Sequence, residues 1–195
     1  MNKLVIAIDC DDVIVPTASL ILAYYNKKYG TAIALKDFYS NDLSVWDTPD
    51  DATAINRVEE YLMSEEYQNA EPFSEAIKVI QALSRWHELH IITGRPDFLT
   101  GATTRMLAQY FPDIFKTVQF TNFFGQKSRS KAEVCQQLSI DFLIDDHLHH
   151  AKAVADCGVQ VLLFGDYPWN ESLDLPKGIQ RVKSWQAISS LLLPR

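Results

Sequence analysis

Five carboxylates fall into two tight groups, Asp9-Cys10-Asp11-Asp12 near the start of the chain and Asp145-Asp146 far downstream. Side chains two apart on an extended chain point the same way, so Asp9 and Asp11 are expected to face one spot. Their repulsion has to be relieved, either by protonating one of them or by a cation. A divalent metal is the expectation. The competing explanation is local, since acidic residues after a strand often form turns or cap helices. Two other segments carry groups suited to an anion. One is Thr93-Gly94-Arg95. The other is Lys131, which follows Ser130 with Glu133 two residues beyond it. That spacing predicts a capping box, and a capped helix start attracts negative charge. Lys127 is a competitor for the same role. Arg95, beside Pro96, reads either as a contact to a ligand or as an ion-pair partner.

These groups must be held by regular elements. The run Leu4-Val5-Ile6-Ala7-Ile8 is short, partly β-branched and has no polar alternation. It reads as a strand buried on both faces, the usual state of a parallel strand. Further strands are predicted at Leu89-His90-Ile91-Ile92, at 117–120, at Phe142-Leu143-Ile144 and at 159–163. Helical spacing covers 20–28, with Gly30 as a stop, and then 76–83, 98–110, 131–138, 148–158 and 185–192. Residues 31–47 read as an aromatic loop. Thr48 is placed to cap a helix running to about Leu62 or Ser64, with Pro49 in its first turn and Asp51 answering the cap. Alternating strands and helices predict a doubly wound, Rossmann-like α/β fold with a parallel sheet. The expected division is a core of 1–15 and 71–195 with a helical cap, 16–70, over the strand ends. Ligands bind at those ends in such sheets.

Composition narrows the partners. The charge is 18 − 25 = −7 over 195 residues, which argues against a nucleic-acid polymer. A small anion remains compatible, because local cations can dominate a site. Cys10, Cys135 and Cys157 are odd in number and lack metal-type spacing. They are expected to be reduced thiols of a cytoplasmic protein. No apolar run approaches the roughly 18 residues of a membrane span. The early strand predicts no secretory leader.

Taken together in chain order, Asp9-Cys10-Asp11-Asp12-Val13, Thr93-Gly94-Arg95, Lys131 and Ile144-Asp145-Asp146 resemble the four signatures of the haloacid dehalogenase-like phosphohydrolase superfamily. The resemblance spans the chain and implies a sheet order of 5-4-1-2-3, with strands one and four adjacent. It implies an enzyme that hydrolyses phosphomonoesters through a phospho-aspartate. Asp9 would be the nucleophile and Asp11 the general acid and base. Thr93, Gly94 and Lys131 would hold the phosphoryl oxygens. Mg2+ would be bound by Asp9, the Asp11 carbonyl and Asp146, with Asp145 in support. Asp11 must be protonated in the first half-reaction, so its surroundings are expected to raise its pKa. Asp12 stands where the superfamily often has glycine, and reads as a hydrogen-bond acceptor or a solvated group. His147, His149 and His150 read as a helix start rather than metal ligands, since adjacent positions do not share a helix face.

The short cap, the Asp-x-Asp-Asp-Val pattern and Leu163-Phe164-Gly165-Asp166-Tyr167-Pro168-Trp169-Asn170 are similar to the 5′(3′)-deoxyribonucleotidase-like branch. That implies a nucleoside monophosphate as substrate. Phe38, Tyr39 or Trp46 could then stack on the base, or could simply form the core of the cap. Another small phosphomonoester, such as a sugar phosphate, is the alternative substrate. A non-catalytic phosphate-binding member of the fold is the other alternative, and the full set of acidic groups speaks against it.

Overall fold

A computed structural model describes residues 2–39, 43–121 and 129–194. Six parallel strands form one sheet in the order β3-β2-β1-β4-β5-β6. They are β1 (Val5–Ile8), β2 (Glu88–Thr93), β3 (Phe115–Phe120), β4 (Phe142–Asp145), β5 (Gln160–Phe164) and β6 (Ile179–Val182). The first five follow the expected order. β6 adds an edge strand that the hydropathy pattern does not reveal. It is four residues long, with exposed Gln180 and half-buried Arg181 between buried Ile179 and Val182, and it reads as a loop until β5 pairs with it.

Helices cover both faces of the sheet. One hydrophobic cluster joins Ile6, Ile8, Ile80, Leu83, Ile91 and Trp185, and the other joins Ala7, Ile92, Leu143, Val154 and Val161. Alternate residues of β1 thus go to opposite layers, as burial on both faces requires. Full burial of each large aliphatic side chain contributes about 1.5–3 kcal/mol.

The helical insertion after β1 contains α1 (Thr17–Tyr29), α2 (Leu43–Trp46), α3 (Asp51–Leu62) and α4 (Glu65–Gln68). Gly30 ends α1 in a left-handed conformation with φ 69°, and its N–H donates to the Asn26 carbonyl. The cap of α3 differs from expectation. Asp50 is the cap and accepts from the Thr53 N–H at 2.7 Å, whereas Thr48 Oγ1 is buried with no hydrogen-bond partner among the described residues. A carboxylate one position before the helix outcompetes the more distant hydroxyl. The supposed loop 31–47 contains a 3₁₀ turn, Leu35–Asp37, and α2. The remaining helices are α5 (Ser74–Leu83), α6 (Thr100–Tyr110), α7 (Lys131–Gln137), α8 (Leu148–Ala155) and α9 (Trp185–Leu192). Among the described residues, no helix is long and apolar enough to cross a membrane.

Candidate active site

The central strands bring the two acidic groups together. Ile8 pairs with Ile144 at the end of the β1–β4 ladder, and the Asp9 N–H extends it by donating to the Ile144 carbonyl at 3.0 Å. Parallel register therefore sets Asp9 beside Asp145 and Asp146. Cys10 alternates into the core, where burial pushes its thiol up to about 12. It is no candidate nucleophile. The chain then turns sharply at Asp12, whose φ is 55°. This left-handed conformation favours glycine, and Asp12 adopts it with a side chain. The Asp12 carboxylate is buried and accepts from the Ala18 N–H at 3.1 and 3.2 Å. It caps α1, which receives no side-chain cap from Pro16.

Lys131 is the first residue of α7, opened by the expected capping box of Ser130 and Glu133. Its Nζ bridges Asp9 Oδ2 at 2.8 Å and Asp145 Oδ2 at 2.7 Å, all three side chains being buried. Lys127 lies outside the described residues. Asp145 Oδ1 accepts the His147 N–H at 2.9 Å. Asp146 Oδ2 accepts the Trp169 indole N–H at 2.7 Å, and its carbonyl accepts from Asn170 Nδ2 at 2.9 Å. Trp169 and Asn170 belong to the aromatic stretch after β5 noted in the sequence. Their contact with an acidic residue 23 or 24 positions away carried no sequence signal.

Negative charge here exceeds its compensation. Burial pushes Asp9 up; Lys131 opposes this, Asp145 and Asp11 add to it, and the group stands at about 7. Asp146 is held well above the usual carboxylate range by burial and by Asp145, Asp9 and Asp12. Burial also opposes ionisation of Asp145, but Lys131 overcomes it and keeps this carboxyl below its ordinary value. Carboxylate oxygens of Asp9, Asp145 and Asp146 lie within 4.8 Å of one another, and Asp9 Oδ1 is buried with no hydrogen-bond partner among the described residues. An all-oxygen set with an orphaned buried acceptor and surplus negative charge fits a hard divalent cation such as Mg2+. Asp145 is the least available of the three, because Lys131 and the His147 N–H already engage both its oxygens.

Asp11 is turned elsewhere, and its carboxylate is not in that set. Its side chain is 32 % exposed, against 9 % for Asp9. Arg95 Nη2 donates to Oδ1 at 2.7 Å, and Arg95 Nε lies 3.0 and 3.1 Å from Oδ1 and Oδ2. Thr17 Oγ1 and Tyr67 OH reach Oδ1 at 2.5 and 3.2 Å. Burial would raise the pKa of Asp11, but the charge and hydrogen bonds of Arg95, aided by Thr17 and Tyr67, carry it below the ordinary value. The expectation of a raised pKa is therefore overturned, for the physical reason that a guanidinium pairs with this carboxylate.

Thr93 ends β2, is fully buried, and accepts from the Arg95 N–H at 3.3 Å through its hydroxyl; Gly94 follows it half-buried. The three aromatic candidates separate. Trp46 is 7 % exposed and packs edge-on against Tyr25 at 5.0 Å, inside the insertion. Phe38 joins that packing and also stands 6.0 Å from Trp169. Tyr39 is 56 % exposed and lies 5.3 Å from Trp169 and 5.8 Å from His147. Desolvation of its hydroxyl, and then the charges of Asp146, Asp12, Asp11 and Asp9, push that hydroxyl upward, although the residue as a whole is exposed. His147 caps α8, its Nδ1 accepting the His149 N–H at 3.3 Å, and no histidine joins the metal-competent set among the described residues.

A family model described as 5′ nucleotidase, deoxy (Pyrimidine), cytosolic type C protein matches residues 3–194. No curated protein sequence matches the chain. Among solved structures, the chain is similar to a haloacid dehalogenase-like family hydrolase from Streptococcus pneumoniae, with TM-score 0.68 at 18% identity over 97% of this chain and 98% of that one. A HAD-type protein from Bacillus subtilis, bound to magnesium, has TM-score 0.68 at 12% identity over 100% of each chain. A HAD family hydrolase from Deinococcus radiodurans, with bound phosphate and sodium, has TM-score 0.63 at 14% identity over 99% of each chain. At these identities the structural likeness carries the fold alone.

Proposed function

The chain belongs to the family of the cytosolic type C 5′(deoxy)nucleotidases, within the haloacid dehalogenase-like superfamily, and from that membership we propose an Mg2+-dependent nucleotidase that transfers phosphate to Asp9. One observation carries this reading: Asp9, Asp145 and Asp146 converge, with Lys131 bridging two of them and Asp9 Oδ1 unpartnered. Asp9 and Asp146 are the proposed Mg2+ ligands, with the Asp11 carbonyl, and Asp145 in support. When bound, the ion would neutralise phosphate charge that otherwise repels an attacking carboxylate. The Bacillus subtilis relative bound to magnesium supports this choice.

In the first half-reaction Asp9 attacks phosphorus and the ester oxygen leaves with a proton from Asp11. In the second, water attacks phosphorus of the acyl phosphate, gives one proton to Asp11, and the bond to Asp9 breaks to release phosphate and the Asp9 carboxylate. The resting Asp11 is ionised, the form the second half needs. The first half needs the protonated form, and the charge of an arriving phosphate beside Asp11 raises its proton affinity. Lys131 stabilises charge on the phosphoryl oxygens, with Thr93 and Gly94 beside them. Residues 1–15 and 71–195 form the catalytic core and 16–70 the cap. The substrate is a small phosphate ester, a (deoxy)nucleoside monophosphate whose base packs on Tyr39, with Phe38 behind it. Trp46 supports the cap from within. The cytosolic type of the family and three free cysteines support a cytoplasmic location.

Phosphate release from a panel of nucleoside and deoxynucleoside monophosphates and sugar phosphates, with and without Mg2+, tests the reading. Nucleotides are expected to be preferred, and Asp9→Asn to lose turnover by about 10⁴-fold or more. Indifference to every nucleotide would overturn the substrate assignment, and an active Asp9→Asn would overturn the mechanism.

A further inference from the structure

Resting on that reading, we propose that Arg95, with Tyr67 and Thr17, is a positioning clamp that fixes Asp11 so that Oδ2 handles the proton. The geometry is one-sided. Oδ1 lies within hydrogen-bond reach of Thr17 Oγ1, Arg95 Nη2, Arg95 Nε and Tyr67 OH, at 2.5, 2.7, 3.0 and 3.2 Å. A carboxylate oxygen has two lone pairs, so Oδ1 is saturated. Among the described residues Oδ2 has one hydrogen-bond contact, Arg95 Nε at 3.1 Å, shared with Oδ1. Oδ2 is therefore the oxygen left with a lone pair for a proton.

The clamp is itself held. Arg95 Nη1 donates to Thr103 Oγ1 on α6 at 3.0 Å, and Nη2 reaches Tyr67 OH at 3.1 Å. The Tyr67 hydroxyl in turn lies 2.9 Å from Thr17 Oγ1. Tyr67 is buried and packs on Tyr61 at 5.5 Å, and Ser64 caps its short helix. Thr17 and Tyr67 come from the insertion, Arg95 and Thr103 from beyond β2. Of the groups around Asp11 Oδ1, Tyr67 OH is the one that α4 supplies. An ion pair with a buried guanidinium and a partly exposed carboxylate gains little stability, through desolvation of one partner and solvent screening of the other. Donor groups of three residues gathered about one oxygen instead specify an orientation.

The role predicts a dependence on the leaving group. p-Nitrophenolate leaves without a proton, so phosphorylation of Asp9 by p-nitrophenyl phosphate needs Asp11 little. Departure of a nucleoside 5′-oxygen and attack by water both need it. Arg95→Ala is expected to lower kcat for a nucleoside monophosphate by about 10²-fold with KM nearly unchanged. With p-nitrophenyl phosphate it should give a burst of about one nitrophenolate per enzyme followed by slow turnover. Arg95→Lys should recover little, because a point charge cannot supply the fork, while added guanidinium should recover turnover of Arg95→Ala. Tyr67→Phe removes one hydroxyl, should lower kcat by about tenfold in the same pattern, and carries the test if Arg95→Ala does not fold. Loss through KM alone, or equal loss of phosphorylation for both leaving groups without a burst, overturns the clamp while Asp9 chemistry stands. A wild-type protein that hydrolyses no ester overturns both.

Discussion

Asp9 and Asp11 are the same residue type, two positions apart at one strand end, yet the protein treats them in opposite ways. Asp9 is nearly sealed off, shares Lys131 with Asp145, and keeps one oxygen without a partner among the described residues. Asp11 is partly open to solvent and has a guanidinium and two hydroxyls of its own. Burial raises the proton affinity of both, but only around Asp11 do the donors outweigh it. The difference teaches that residue type and spacing nominate a site, whereas the supply of donors divides the labour. The Asp9 side has one ammonium, Lys131, among three clustered carboxylates and has room for more positive charge. The Asp11 side is complete and holds an orientation.

Removing the shared cation should produce the largest effect. Lys131→Met leaves Asp9 and Asp145 buried with no positive partner, and is expected to cost about 3–5 kcal/mol in urea unfolding of the metal-free protein. A loss below about 1 kcal/mol would mean that this side is less desolvated than its burial indicates.

The two sides should also separate by pH. The folded state holds Asp9 at about 7, above its ordinary 3.8. Its contribution to metal-free stability is full below about pH 4 and is lost as pH rises through 7. Asp11 is shifted downward, so its contribution is full above its ordinary value and is lost only in acid. Thermal unfolding in EDTA from pH 5 to 8 should thus fall with a slope that Asp9→Asn reduces. Mg2+ competes with protons for Asp9, so its stabilisation should grow over the same range, reaching about 2.7 kcal/mol at a hundred times Kd. A Mg2+ effect independent of pH would break the contrast.

A smaller change lies behind Asp146. Trp169→Phe keeps an aromatic ring against Tyr167 and Tyr39 but deletes the indole N–H on Asp146 Oδ2. Such outer contacts to a ligand typically shift metal affinity by about 10- to 100-fold. Isothermal titration with Mg2+ should show a loss near the lower end, because Asn170 still holds the neighbouring carbonyl.

What was legible in the sequence follows from how each contact is encoded. β1, β2 and β4 announce themselves as apolar runs that end in polar groups, and the sheet order implied by the family resemblance set Asp9 beside Asp145-Asp146, where the structure has them. The Ser130–Glu133 box could be read because it is local. The Arg95–Asp11 pair joins residues 84 positions apart, and Tyr67 reaches Asp11 across 56. No periodicity marks such contacts, and a pKa expectation drawn from mechanism alone therefore had the wrong sign. β6 escaped because a short edge strand with polar residues between its ends resembles a turn. Thr48 misled because a plausible cap has close competitors, and only geometry chooses Asp50.

The smallest effect is expected at Asp12, which lies between the two sides. It occupies a left-handed conformation at φ 55° and caps Ala18, and burial, with Asp11 next in weight, pushes its carboxyl up to about 8. Asp12→Gly removes a conformational cost of up to about 1–2 kcal/mol. It also removes a cap worth about 1 kcal/mol and adds backbone freedom to the unfolded chain, at a further 0.4–1 kcal/mol or about that. The opposing contributions nearly cancel at pH 5, where the Asp12 carboxyl is protonated. At pH 8 a like charge is withdrawn from beside Asp11 and Asp146, so the variant should gain on wild type in EDTA by a fraction of what Asp9→Asn gains. Paired thermal melts at the two pH values read this directly. Equal changes at both would show that Asp12 acts through the α1 cap alone and belongs to neither side of the site.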